Sequence, residues 1–272
     1  MSINPVTFRT VERSDPAVSA QGLEFVTVKS PALRGRADVT LFVPPSARGV
    51  RDLPILTLLH GVYGSHWAWA LKGSAHITAA RLIAEGKLPP VVLMMPSDGL
   101  SGDGSGYVAQ AALDAERWII DEVPALARQL VGCTERSPLL VAGLSMGGFG
   151  ALRLAGKHPQ RIAAAAALSA VTEAAQLDGF MEESRAGWSL LPEDGSVLAA
   201  LTGAPGPLPP LRIDCGHDDP LLDANRALHR ALEQAGVSHV YAERPGGHDW
   251  PYWTRTLEDT LVFFAGVLQS RD

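Results

Sequence analysis

The segment best equipped for chemistry is Gly143-Leu144-Ser145-Met146-Gly147. It reads G-x-S-x-G and lies between an apolar run, PLLVAGL, and a helix-forming stretch, MGGFGALRLAGKHP. A serine hydroxyl is a weak nucleophile unless a tight strand-to-helix turn presents it to a base and to free backbone donors. Gly143 and Gly147 remove the Cβ atoms that would collide in such a turn. The start of the following helix adds positive potential beside Ser145. Such a nucleophile needs a histidine and a carboxylate, and a strand-to-helix elbow of this kind predicts the chain order Ser, then Asp/Glu, then His. Of the eight histidines, His248 lies in PGGHDW, a glycine-rich loop between the last strand and the last helix that can reach back over the sheet edge. His229 falls mid-helix and His239 inside a strand pattern, so both read as packing or surface residues.

The acid should follow the strand LRIDC, where Asp218 and Asp219 are neighbours. Asp214 is inside that strand, Asp223 opens the next helix as an ordinary cap, and Asp178 is an outside option. Pro220 biases the residue before it toward extended backbone, a restraint that favours Asp219 over Asp218. Two amides should receive the oxyanion. One is the N–H of Met146; the other comes from the loop HGVYGS, from Val62 or Tyr63, with Val62 preferred. His60 braces that loop. Trp67 and Trp250 flank the oxyanion and base loops and are expected to line the substrate pocket, although aromatic residues of this size also serve packing.

These residues need elements to carry them. Strands are expected at 23–29, 37–43, 53–60, 90–95, 138–144, 162–168, 211–215 and 238–242, and helices at 74–85, 110–130, 146–157, 222–235 and 251–268. The first two strands alternate, whereas most later ones are continuous apolar runs, as strands buried on both faces are. An antiparallel start followed by alternating strand and helix implies a mostly parallel eight-stranded sheet covered on both sides. The stretch 171–209 breaks the rhythm and reads as a short cap-like insertion after the sixth strand. Residues 1–272 then form a single domain.

Composition removes other classes. Hydrophobic residues make up 46% of the 272, enough for a full core, and the net charge of −6 with no basic run argues against nucleic acid. No apolar run is long enough for a membrane span, and the N-terminus has no secretory h-region, so a cytoplasmic protein is expected. Cys133 and Cys215 lack metal-ligand spacing. Asp98 and Asp103, in SDGLSGDGSG, lack the spacing and closing glutamate of an EF-hand. No metal and no organic cofactor is expected.

With LLHGVYGSHWAW, MPSDG, ERWIIDEVPAL, GLSMGGFGALRLAGKHP, CGHDDPLLDANRAL and ERPGGHDWPYW, the chain resembles the esterase D-like branch of the α/β-hydrolases from about residue 58 to 253. That branch includes tributyrin, feruloyl and acetyl-xylan esterases, S-formylglutathione hydrolases and mycolyltransferases. The resemblance implies Ser145 as nucleophile, His248 as base and Asp219 as acid. The chain departs from simpler members at 101–107, SGDGSGY, a glycine-rich loop that would border the pocket. The reading is a serine carboxylesterase acting on short acyl or small aromatic esters, small or carbohydrate-linked. Thioester (S-formylglutathione) hydrolysis and acyl transfer to a sugar are its rivals within the same chemistry, and a silent ligand-binding scaffold is the rival outside it.

Overall fold

In the computed structural model, which describes residues 6–15, 17–18, 20–100, 102–188 and 190–271, the apolar runs lie side by side in one sheet. Its strands are β1 (Val11–Arg13), β2 (Leu23–Ser30), β3 (Gly35–Phe42), β4 (Ile55–Leu59), β5 (Val92–Pro96), β6 (Leu139–Leu144), β7 (Ala164–Leu168), β8 (Leu211–Gly216) and β9 (Val240–Arg244). The spatial order is β1-β2-β3-β5-β4-β6-β7-β8-β9. β1 to β3 and the β3–β5 junction are antiparallel, and every pair from β5 through β4 to β9 is parallel. The expected count of eight strands is therefore corrected to nine. The added β1 is only Val-Glu-Arg, has no buried residue, and so carries no alternation that a sequence pattern could reveal.

The helices are α1 (Ala68–Leu71), α2 (Ala75–Ala84), α3 (Ala115–Arg117), α4 (Val123–Val131), α5 (Met146–Lys157), α6 (Pro192–Gly195), α7 (Val197–Thr202), α8 (Leu222–Gln234) and α9 (Trp250–Gln269). Because side chains alternate across a strand, each central strand feeds two cores. Leu140, Ala142 and Leu144 of β6 pack with Ala79 of α2 and Leu261 of α9. Val141 faces the other way, into a core with Leu126 of α4, Leu152 of α5 and Leu228 of α8.

The helix expected over 110–130 starts later and is not uniform. Asp114 caps it, accepting from the Arg117 amide at 2.8 Å, so 110–114 stay outside. Between α3 and α4 the turn at Trp118–Glu122 is π-helical. Pro124 has no N–H to give to the turn before it, and the widened turn sits just ahead of that gap. In the stretch 171–209, α7 packs against α5 while the earlier part runs to the C-terminal edge of the sheet and carries Phe180. Ser189 of that stretch and Ser101 of the glycine-rich loop lie outside the described residues. Among the described residues no helix is long and apolar enough to cross a membrane.

Candidate active site

Ser145 sits between β6 and α5 at φ 54°, ψ −118°, a left-handed φ unusual for a residue with a side chain. Its neighbours hold it there. The Ser145 amide donates to Leu168 O at 2.9 Å, at the end of β7, and Ser145 O accepts from Phe149 and Val171 amides at 3.1 and 3.2 Å. A Cβ at Gly147 would run into the carbonyls of Leu59 and His60, so the elbow closes only with glycine there.

The loop before α9 brings His248 over this turn. Ser145 Oγ lies 3.0 Å from His248 Nε2, and His248 Nδ1 lies 3.1 and 3.0 Å from the two carboxylate oxygens of Asp219. Two backbone bonds tie the acid loop to the base loop: His217 N–H to Arg244 O at 2.8 Å and Asp218 N–H to Gly246 O at 2.9 Å. Asp249 then caps α9 by accepting from Tyr252 N–H at 2.9 Å, which fixes the chain just beyond His248.

Asp219 is buried and also accepts from the Leu221 amide at 2.8 Å. Burial pushes its carboxyl up, but hydrogen bonds with His248 and Ser169 outweigh that and hold it below the usual carboxylate range. Ser169 in turn accepts from Trp253 Nε1 at 3.1 Å. Neither rival carboxylate reaches the imidazole: Asp218 is exposed, and Asp178 pairs with Arg185 at 2.6 and 2.7 Å on the surface. His229 and His239 hydrogen-bond to each other at 2.8 Å, packed beside Tyr241.

Two backbone amides near Ser145 are candidate donors to an oxyanion. Met146 is the first residue of α5, in the turn whose amides have no intrahelical partner. In the loop after β4, the Tyr63 amide donates to Asp103 O at 3.1 Å and the Gly64 amide to Gly61 O at 3.0 Å. Among the described residues the Val62 amide takes no protein partner, which separates it from Tyr63 as a donor. His60 is buried under the loop, with Nδ1 2.8 Å from Gly61 O, and Tyr107 Oη donates to His60 O at 3.0 Å.

The glycine-rich loop braces this arrangement. Asp98 accepts from the Leu100 and Ser105 amides at 3.1 and 2.7 Å. The Asp103 carboxylate accepts from the Glu182 and Glu183 amides at 2.6 and 2.8 Å. Both carboxylates thus serve the backbone around them.

Ser145 and His248 open onto a cavity of about 270 Å³ whose walls include Trp67, Trp250, Trp253 and Phe180. The Phe180 ring stacks on His248 at 5.4 Å, and Trp253 meets the same imidazole edge-on at 5.0 Å. The structure therefore brings together Ser145, Asp219, His248, Met146, Val62, Trp67 and Trp250. Sequence reasoning did not assign Phe180, Trp253, Ser169 or Lys72 to the site. Trp253, three residues after Trp250 on α9, had a helical-spacing signal; the other three reach the site only through the fold.

The family model described as "Putative esterase" matches residues 30–264. The chain belongs to the esterase family. This esterase is 26% identical over 236 residues to an acetyl esterase of Caldicellulosiruptor saccharolyticus, covering 79% of this chain and 85% of that protein. It is 30% identical over 209 residues to an endo-1,4-beta-xylanase/feruloyl esterase of Xylanibacter ruminicola, covering 75% of this chain but only 25% of that longer protein. A solved ferulic acid esterase superposes with a TM-score of 0.73 at 25% identity, covering 96% of this chain and 100% of the other. The fold is that of the α/β-hydrolases, the branch is esterase D-like, and the esterase is a carboxylic ester hydrolase.

Proposed function

We propose that this esterase hydrolyses short-chain acyl or small aromatic esters through an acyl-enzyme on Ser145. The observation that carries the reading is the unbroken hydrogen-bonded chain Ser145 Oγ–His248–Asp219 opening onto an aromatic-walled cavity. Ser145 Oγ attacks the ester carbonyl while His248 Nε2 takes its proton. Asp219 keeps the proton of His248 on Nδ1 and stabilises the imidazolium. The carbonyl oxygen, now anionic, receives the Met146 and Val62 amides, and such preorganised donors are commonly the largest electrostatic contribution to the rate. His248 then protonates the departing alcohol, and water attacks the acyl-enzyme by the same route in reverse.

The cavity is small and lies beside an insertion that lacks a long helix, which supports acetyl to butyryl chains over long ones. The test is a p-nitrophenyl ester chain-length series run beside acetylated xylan and methyl ferulate, with a fluorophosphonate to trap the nucleophile. One covalent adduct on Ser145 and a rate optimum at two to four acyl carbons are expected. Ser145→Ala should keep the melting temperature and lose both adduct and turnover. Undiminished labelling of Ser145→Ala, or a preference for dodecanoyl esters, would overturn the reading.

A further inference from the structure

The cavity has one charged wall. Lys72 is the sole ammonium or guanidinium among its lining residues, and none of them carries a carboxylate. The backbone of Lys72 is anchored where α1 ends: the Lys72 and Gly73 amides both donate to Ala68 O, at 2.9 and 3.2 Å. Its Nζ lies 5.5 Å from the centroid of the Trp250 ring, within the range of a cation–π contact. That ring does not move freely, because Trp69 and Trp253 meet it edge-on at 5.6 and 5.4 Å. The ammonium therefore has a fixed platform inside the cavity mouth.

Its charge is also unspent. Lys87 pairs with Glu85, and Lys157 with Glu116 and Asp194. Among the described residues no carboxylate lies within 4.0 Å of Lys72 Nζ, the reach within which the protein's other ion pairs are found. Lys72 is exposed at the rim of the cavity, so water and salt screen its charge, and the Trp250 face beneath it supplies the second contact for a bound group. The platform is two rings from the base: Trp250 touches Trp253, and Trp253 meets His248 at 5.0 Å. Lys72 and Ser145 line the same cavity of about 270 Å³, so a group held at Lys72 would be joined to a carbonyl at Ser145 by a spacer that this cavity can hold.

We propose that Lys72 and Trp250 form a subsite for an anionic group, so that the preferred esters carry a carboxylate a few carbons from the scissile carbonyl. This rests on the reading of Ser145, His248 and Asp219 given above. The ammonium pairs with the carboxylate, while the Trp250 face supports the spacer.

The test compares mono-p-nitrophenyl succinate with p-nitrophenyl butyrate, which match in length and differ in charge. Wild-type protein should favour the succinate half-ester in kcat/KM. Lys72→Met should lower the succinate-to-butyrate ratio about tenfold or more, mainly through KM. Lys72→Arg should keep most of the preference, and added salt should erode it in the wild type and not in Lys72→Met. A ratio unchanged by Lys72→Met overturns the subsite. To separate this from failure of the hydrolytic reading, monophenyl succinate and phenyl butyrate are titrated calorimetrically into Ser145→Ala, where no turnover is needed. Tighter binding of the anion, lost in Ser145→Ala/Lys72→Met, supports the subsite whatever the chemistry; equal binding of the two esters overturns it.

Discussion

Gly61→Ala tests the oxyanion site without replacing any hydrogen-bonding side chain. Gly61 has no left-handed φ, so alanine brings no backbone strain of its own. Its new Cβ would instead lie 2.9 Å from Leu144 Cδ1 and 3.3 Å from Ser145 Cβ. Ordinary carbon–carbon contact begins near 3.5 Å, so the overlap is about 0.6 Å at Leu144 and about 0.2 Å at Ser145. Leu144 Cδ1 ends a flexible side chain that lines the cavity and can turn aside, whereas Ser145 is pinned at the elbow, so the contact with Ser145 Cβ is the one that the loop after β4 must relieve. That loop carries the Val62 amide. Losing one oxyanion donor outright costs about 10²–10³ in kcat, roughly 2.7–4 kcal/mol, and a recoil of a few tenths of an ångström should cost a fraction of that, about tenfold. The loss should appear in kcat with KM little changed, because the donor acts on the tetrahedral species and not on the bound ester. The assay is steady-state hydrolysis of p-nitrophenyl acetate, with active sites counted by fluorophosphonate and folding checked by thermal melting. A kcat within threefold of wild type in a folded variant would refute the assignment of Val62.

Asp219→Asn should lower kcat by up to ~10⁴, while Asp218→Asn should cost about tenfold or less; the reverse ranking in the same assay would move the acid to Asp218. Gly266→Ala, in α9 with nothing within 4 Å of the new methyl, should stabilise the protein by about 0.5–1 kcal/mol in urea unfolding, and a loss of stability would refute it. Hydrogen bonds from Arg226 hold the Glu243 carboxyl down to about 2. A carboxylate with a lowered folded-state pKa adds stability that is complete above its unfolded value, near pH 4.5, and lost as pH falls toward 2. Arg226 is 42% exposed, so solvent screening keeps the pair's contribution small. Glu243→Gln should therefore lag wild type in urea melts at pH 7, and the gap should narrow as pH falls from 4.5 toward 2; a gap that grows on acidification would refute this.

What could be read from the sequence follows the physics of each element. The central parallel strands were legible because burial on both faces forces continuous apolar runs, as in LPILTLLH and PLLVAGL. The elbow at Ser145 was legible because G-x-S-x-G stands between an apolar strand run and a helix-forming stretch, although the carbonyls of Leu59 and His60 that demand Gly147 come from a distant segment. β1 was not, since it offers one half-buried valine and two exposed charged residues and takes its place by pairing with β2. The late start of the helix after 110 was missed because the Asp114 cap looks like any loop aspartate until its amide partner is known. Phe180, Ser169 and Lys72 were invisible for a different reason. Each comes from a separate segment, and nothing in the spacing of residues 72, 169, 180 and 248 encodes that they converge.

Asp103 has a bearing on how this pocket can change over generations of variants. Its peptide oxygen takes the Tyr63 amide, and its carboxylate takes the amides of Glu182 and Glu183. Three stretches far apart in the gene, around 61–64, 102–107 and 180–183, are thereby bound into one heritable block. A cassette that exchanges the insertion alone would strand a carboxylate beside foreign backbone, and one that exchanges the glycine-rich loop alone would loosen the turn that presents Val62. Recombination between relatives should therefore succeed where crossovers keep these three stretches from one parent, and new specificity should arise more readily at positions such as 67 or 72, which answer to no such contract.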